Sequence, residues 1–172
     1  MLVYRIQRAE FAQTREDILS GMGAKLYGGR WNPAGIPLIY TAASPELAHS
    51  EFMIHLKNLP PATSYLVVLQ IPDENILEIK VENLPEGWRN RANMHLTQEF
   101  TKTWFKESKY LAMRVPSAIV PMSYNYLINP NHSDIEKVNI IQSELFIFDE
   151  RFMIGINNLL LPNIFEEMLK TK

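Results

Sequence analysis

The sequence predicts an α+β fold. Strand-like segments outnumber helical ones, and the two kinds do not alternate in the regular way that a doubly wound sheet requires. The chain has 172 residues, 47% hydrophobic and 21% charged, which suits a single globular domain over 1–172 with a core of its own. The formal net charge of -2 points to no polyanionic partner for the chain as a whole, so direct nucleic-acid binding is not expected. Cysteine is absent, which excludes a disulfide framework and thiolate metal ligation and allows a reducing compartment. The first residues, MLVYRIQRAEF, carry charges at 5, 8 and 10 and contain no apolar run of signal-peptide length. No run approaches the ~18 apolar residues of a membrane span. A cytoplasmic location without membrane attachment is therefore expected.

Each element can be justified in chain order. LVYRIQ (2–7) reads as a strand, and EFAQTREDILSGMGA (10–24) as a polar connection with at most one short helix. YGGRWNPAG (27–35) is a loop by its glycines and proline, and GIPLIYTA (35–42) is a strand. SPELAHSEFMIHLKN (44–58) carries helix signals: Ser44 as N-cap, Pro45 at the first helical position, Glu46 in the first turn, and Pro60 and Pro61 as a stop. SYLVVLQI (64–71) is β-branched and bounded by breakers, hence a buried strand, and ENILEIKVENL (74–84) alternates as a half-buried strand does. NMHLTQEFTKTWFKES (93–108) is a second amphipathic helix. YLAMRVPSAIVP (110–121), YNYLINP (124–130), IEKVNIIQ (135–142) and SELFIFDERF (143–152) read as strands separated by turns. The tail INNLLLPNIFEEMLKTK (156–172) is expected to form a short terminal helix.

Several side chains stand out against this frame. On the helix at 44–58, Glu51 shares a side with Leu47, Ile54 and Asn58, with Ala48 and His55 beside it. It reads either as a boundary glutamate reaching for water or as a partly desolvated acid in a cleft with a charge partner. Arg30, one loop and one strand upstream, is the candidate partner. Alone it is equally a solvated loop arginine, but Gly28 and Gly29 permit close approach of a ligand, Trp31 offers a flat face, and a guanidinium suits a phosphate or carboxylate. Ser117 lies between Pro116 and Pro121, the pattern of an edge strand or rim, and is also an ordinary turn serine. Asn125 and Asn129 are ordinary turn residues as well. Histidines 49, 55, 95 and 132 form neither HxxxH nor HExxH, so no catalytic metal is expected. GxxxxGK[ST], GxGxxG and GxSxG are absent, which leaves Walker, Rossmann and serine-elbow readings without support.

Taken together the motifs resemble a known family. GGRWNPAGIPLIYTAASPELAHSE (28–51) is similar to the hallmark of the RES-domain family, named for an arginine, a glutamate and a serine. VPSAIVP (115–121) followed by NYLINPNHSD (125–134) resembles its serine segment, LPEGWRN (84–90) and the helix around Trp104 its spacer, and FDERF (148–152) its close. The likeness spans about 4–152, and residues 153–172 have no counterpart in it. Position by position, the resemblance makes Arg30, Tyr40, Glu51 and Ser117 the catalytic set, with Gly28, Gly29, Trp31, Asn125 and Asn129 as binding residues.

The resemblance implies an ADP-ribosyltransferase-like split β-sandwich with flanking helices around a NAD cleft. It implies a toxin of a bacterial toxin–antitoxin pair, partnered by an Xre-type DNA-binding antitoxin, with a homodimer of toxin in the complex. The implied activity is breakdown of NAD by hydrolysis, or by phosphorolysis with inorganic phosphate as co-substrate. Transfer of ADP-ribose to a protein is the alternative, and a non-catalytic module in which Arg30 and Glu51 form only an ion pair is a further one. The residue types suit the chemistry. Cleaving the nicotinamide–ribose bond builds positive charge on the sugar, which Glu51 can stabilise. Arg30 can grip the pyrophosphate or an incoming phosphate. Tyr40 can stack on nicotinamide or donate a hydrogen bond, and Ser117 can orient Glu51 or the carboxamide. Nicotinamide leaves as a neutral base, so no general acid is required.

Overall fold

Strand β1 (Leu2–Arg8) pairs antiparallel with β3 (Ser64–Gln70) over its whole length, from Leu2 opposite Gln70 to Arg8 opposite Ser64. β3 in turn pairs antiparallel with β7 (Asn139–Phe146), with a bulge between Val68 and Leu69. The computed structural model describes residues 1–55 and 63–149. Its second leaf is built on β6 (Tyr124–Ile128), which lies antiparallel between β2 (Ile39–Ala42) and β5 (Ala112–Pro116). A short β4 (Ile76–Glu78) adds in parallel to β5. The leaves meet at β1 and β2 through a single pair, Tyr4 opposite Ala42. Among the described residues the result is one seven-stranded sheet, ordered β4-β5-β6-β2-β1-β3-β7 and nearly divided in the middle. This is the α+β class that the sequence led one to expect, with the sheet split nearly in two.

Strand alternation decides which side chains face which layer. Val3, Ile39, Val67, Leu69, Ala112, Tyr126 and Ile128 point to one face, where Ile18 and Leu19 of α1 (Arg15–Leu19) cover them. α1 is held by a capping box between Thr14 and Asp17. The opposite face carries two clusters. Ile6 and Ala42 pack against Leu47 and Ala48 of α3 (Pro45–Met53), which lies over the seam between the leaves. Met113, Val115 and Leu127 pack with Trp31, Trp88 and Trp104, the last from α4 (Met94–Glu107). α3 and α4 therefore flank one face of the sheet, and the site lies between them.

Several boundaries differ from the sequence reading. The connection 10–24 and the residues after it form two short helices, α1 and α2 (Met22–Tyr27). The strand expected over 35–42 is regular only at Ile39–Ala42, because Pro37 cannot donate to a ladder. The helix expected over 44–58 runs Pro45–Met53, and the His55 amide closes a tight turn on the Phe52 carbonyl at 3.1 Å. The alternation at 74–84 yields only β4 before a 3-10 turn at Val81–Asn83. The two strands expected across 135–152 are one, β7, preceded by a 3-10 turn at Ser133–Lys137. The predicted terminal helix at 156–172, the end of FDERF and the Pro60–Pro61 stop lie outside the described residues. Among the described residues no helix is long and apolar enough to cross a membrane.

Candidate active site

Glu51 follows Leu47 by four residues and Ala48 by three, so it continues the buried face of α3 toward its C-terminal end. There it meets the second leaf. Ser117 Oγ donates to Glu51 Oε1 at 3.0 Å, and Asn125 Nδ2 donates to the same oxygen at 2.5 Å. The Ser117 hydroxyl also accepts from the amides of Ile119 (3.2 Å) and Val120 (3.1 Å). A hydroxyl has one proton and two lone pairs. With both lone pairs engaged by the turn, the proton is left to point at Glu51. Ser117 thus orients the carboxylate, and the β5–β6 turn that carries it packs on α3 through Val120. Glu51 Oε2 accepts no hydrogen bond among the described residues.

The arginine arrives on a loop that is knit from three sides. Tyr40, on β2, points to the same sheet face as Asn125 and Leu127. Its hydroxyl accepts from the Trp31 amide at 3.0 Å and donates to Asn32 Oδ1 at 2.7 Å. Asn32 in turn donates to the carbonyls of Ala24 and Ile36, both at 2.8 Å. From α4, Thr97 Oγ1 donates to the Arg30 carbonyl at 2.5 Å and Gln98 Nε2 to the Gly29 carbonyl at 2.8 Å. The Arg30 guanidinium donates through Nη1 to the Trp88 carbonyl at 2.7 Å.

Burial lowers the pKa of the half-buried Arg30, and the nearby Glu51 carboxylate pulls it back up. The two groups feel each other's charge, yet among the described residues they form no direct ion pair. Burial pushes the Tyr40 hydroxyl well above the ordinary tyrosine value, so it remains an O–H donor across the physiological range. The arrangement offers a fixed carboxylate and a half-buried cation with spare donors, close enough for each to feel the other's charge.

Glu51, Ser117, Asn125, Arg30 and Tyr40 are brought to one side of the sheet. The remaining predicted residues are placed differently. Trp31 is 2% exposed and packs on Trp88 with ring centroids 5.9 Å apart, so its face is occupied by the core and is not open to a ligand. Gly29 answers to the protein itself: a Cβ there would meet the Tyr40 hydroxyl at 2.6 Å. Gly28 ends α2 at positive φ (68°), a backbone conformation that suits glycine, and a Cβ there would meet the Ala34 nitrogen at 3.1 Å. The glycines therefore make room for the loop's own atoms. Asn129 lies four residues on from Asn125, just past the end of β6 and roughly 13 Å away, and accepts from the Asn131 amide at 2.9 Å in a turn. It serves that turn and stands away from Glu51.

Asn32, Thr97 and Gln98 had no role in the sequence reading. Asn32 lies inside the GGRWN motif, and Thr97 and Thr101 sit fully buried on the apolar stripe of α4 with Trp104. Polar residues on that stripe were the available signal. Among the described residues no three or more His, Asp or Glu side chains gather into a group that could hold a metal ion.

The chain is also similar to known proteins. A model of the RES domain matches residues 2–149. The chain is 35% identical over 155 residues to Toxin Res of Photorhabdus laumondii, covering 89% of this chain and 97% of that protein. It is 37% identical over 147 residues to the Prs ADP-ribosylating toxin of a Sphingobium species, covering 83% of this chain and 91% of that protein. Among solved structures, the M. tuberculosis MbcT-MbcA toxin-antitoxin complex contains a chain of like fold. The TM-score is 0.69 at 19% identity, covering 84% of this chain and 83% of that one.

Proposed function

The chain belongs to the RES domain family, and from that premise we propose that it is the toxin of a bacterial toxin–antitoxin pair that cleaves the nicotinamide–ribose bond of NAD. The observation that carries the reading is the Glu51 carboxylate: one oxygen is held by Ser117 and Asn125, and the other accepts nothing among the described residues. A carboxylate fixed this way on one side keeps its free oxygen in place without reorganisation, which is what stabilising a transient positive charge requires.

The step balances simply. The bond from ribose C1′ to the nicotinamide nitrogen breaks, and its electron pair leaves with neutral nicotinamide. Glu51 stabilises the cationic sugar. An acceptor oxygen bonds to C1′ and releases its proton. Arg30 holds the pyrophosphate with charge-assisted hydrogen bonds. Tyr40 acts through the loop that carries Arg30, because its hydroxyl is already committed to Trp31 and Asn32. The acceptor is water or inorganic phosphate. Transfer to a protein is the second reading, favoured by the name of the Sphingobium relative. The partner is an antitoxin, in keeping with the complex in which the like fold occurs; its Xre type follows from the family resemblance alone, and the site of action is the cytoplasm.

The test is mass spectrometry of the products formed from NAD by the purified chain, with and without phosphate. Nicotinamide with ADP-ribose identifies hydrolysis, nicotinamide with phosphorylated ADP-ribose identifies phosphorolysis, and a labelled polypeptide identifies transfer. Glu51→Gln is expected to slow nicotinamide release by about a hundredfold or more. A wild-type chain that yields neither free nicotinamide nor labelled protein would overturn the enzymatic reading.

A further inference from the structure

The segment LPEGWRNRAN (84–93) begins with the LPEGWRN spacer of the family resemblance and runs three residues beyond it, and the chemistry above uses only its Trp88 carbonyl. The segment is a run of turns. The Trp88 amide bonds the Pro85 carbonyl at 3.1 Å, the Asn90 amide the Gly87 carbonyl at 2.9 Å, and the Asn93 amide the Asn90 carbonyl at 3.0 Å. Asn90 Oδ1 accepts from the Ala92 amide at 3.0 Å, and Asn93 Nδ2 donates to the Gly87 carbonyl at 3.2 Å. Trp88 anchors the run in the core against Trp31. Its carbonyl grips Arg30, and Arg91 follows three residues later on the same stretch of turns.

Arg89 is occupied over the Trp88 ring, 5.4 Å from its centroid. Arg91 is exposed and makes no ion pair among the described residues. Burial is the chief cause of the lowered Arg30 pKa, and the positive charge of Arg91 adds to it. Arg30 and Arg91 thus hold like charges on one run of turns, and an anion bound by both offsets their repulsion.

We propose that Arg91 is a second phosphate-binding cation, which together with Arg30 takes the two phosphates of a dinucleotide pyrophosphate at the rim formed by the Trp88–Asn93 turns. Charge complementarity supports this occupant. Arg30, Arg91 and Glu51 carry one net positive charge. NAD, with two phosphate charges and one cationic ring, carries one net negative charge. Arg91 is remote from the bond that breaks, so it serves binding and leaves the chemical step alone. The identity of the dinucleotide rests on the NAD reading above; the anion site itself does not.

The experiment therefore uses two probes. Inorganic pyrophosphate is titrated into the wild-type chain, Arg91→Ala and Arg91→Lys. NAD is titrated into Glu51→Gln with and without Arg91→Ala, since the Glu51→Gln background consumes NAD slowly enough for binding to be read. Nicotinamide riboside, which has no phosphate, is the control, and thermal melting confirms that the Arg91 variants fold. Arg91→Ala is expected to weaken pyrophosphate and NAD by about fivefold, more at low salt, with the riboside unchanged and Arg91→Lys intermediate. Pyrophosphate that fails to bind the wild type, or that binds Arg91→Ala within about twofold of it, overturns the proposal. If pyrophosphate binding depends on Arg91 while the wild type releases no nicotinamide, the anion site stands and the NAD reading falls. If nicotinamide is released with the same KM by Arg91→Ala, the NAD reading stands and Arg91 has no part in it.

Discussion

At the residue scale, the Tyr40 hydroxyl governs the position of Arg30 without touching it. Replacing it by hydrogen strips the buried Asn32 Oδ1 of its donor and the Trp31 amide of its acceptor. Tyr40→Phe should cost about 1–3 kcal/mol of stability by denaturant unfolding. It should also lower kcat/KM for NAD through a looser Arg30 loop, while the binding of nicotinamide riboside hardly changes. A variant with wild-type stability and wild-type kinetics would remove Tyr40 from this role. The same hydroxyl gives a pH signature. Burial raises its pKa above the ordinary value, so the folded state keeps a proton that the unfolded chain surrenders from about pH 10. Its stabilising contribution is whole below that pH and is lost as the pH climbs beyond it. Stability measured from about pH 9 upward should therefore fall less steeply in Tyr40→Phe than in the wild type.

At the element scale, α3 is a nine-residue helix, too short to persist by propensity alone. It stands on its N-cap, where Ser44 accepts from the Leu47 amide at 3.2 Å, and on the packing of Leu47 and Ala48 over the seam. Ser44→Ala should cost about 1 kcal/mol in urea unfolding, and Ser44→Asp should restore most of it. Because Glu51 rides on the same helix, nicotinamide release should fall with the cap and return with it; full activity in Ser44→Ala would show that the seam packing alone positions the carboxylate. The cap, Pro45 and the Leu47–Glu51 spacing were legible in the sequence, since they are local. The strand at 74–84 was legible but its length was not, because an alternating pattern can be satisfied by three residues of strand and a turn once β5 is its pairing partner.

At the scale of the whole molecule, backbone pairing barely joins the two leaves, and side chains do the rest. One cluster takes Val3, Val67 and Leu69 from the first leaf and Ile39, Ala112, Tyr126 and Ile128 from the second. Thermal unfolding should therefore be a single transition followed alike by near- and far-ultraviolet dichroism. Leu69→Ala, at a fully buried position, should destabilise it by about 2–5 kcal/mol. Two separated transitions would mean that the shared cluster does not couple the leaves.

The α+β class, both longer helices, most strand positions and the arginine–glutamate–serine motifs follow from the sequence by itself, because caps, periodicity and motif spacing act over a few residues. Only the tertiary structure decided what those motif residues face. Trp31 looked like a ligand platform until the core closed over it, and Gly29 looked like an opening until Tyr40 filled the space. Asn125 and Asn129, alike in sequence, parted company because β6 carries one to Glu51 and the other to a distant turn. Contacts between residues that are neighbours in space and far apart along the chain come from how the sheet seams and the helices pack, and no local pattern encodes that.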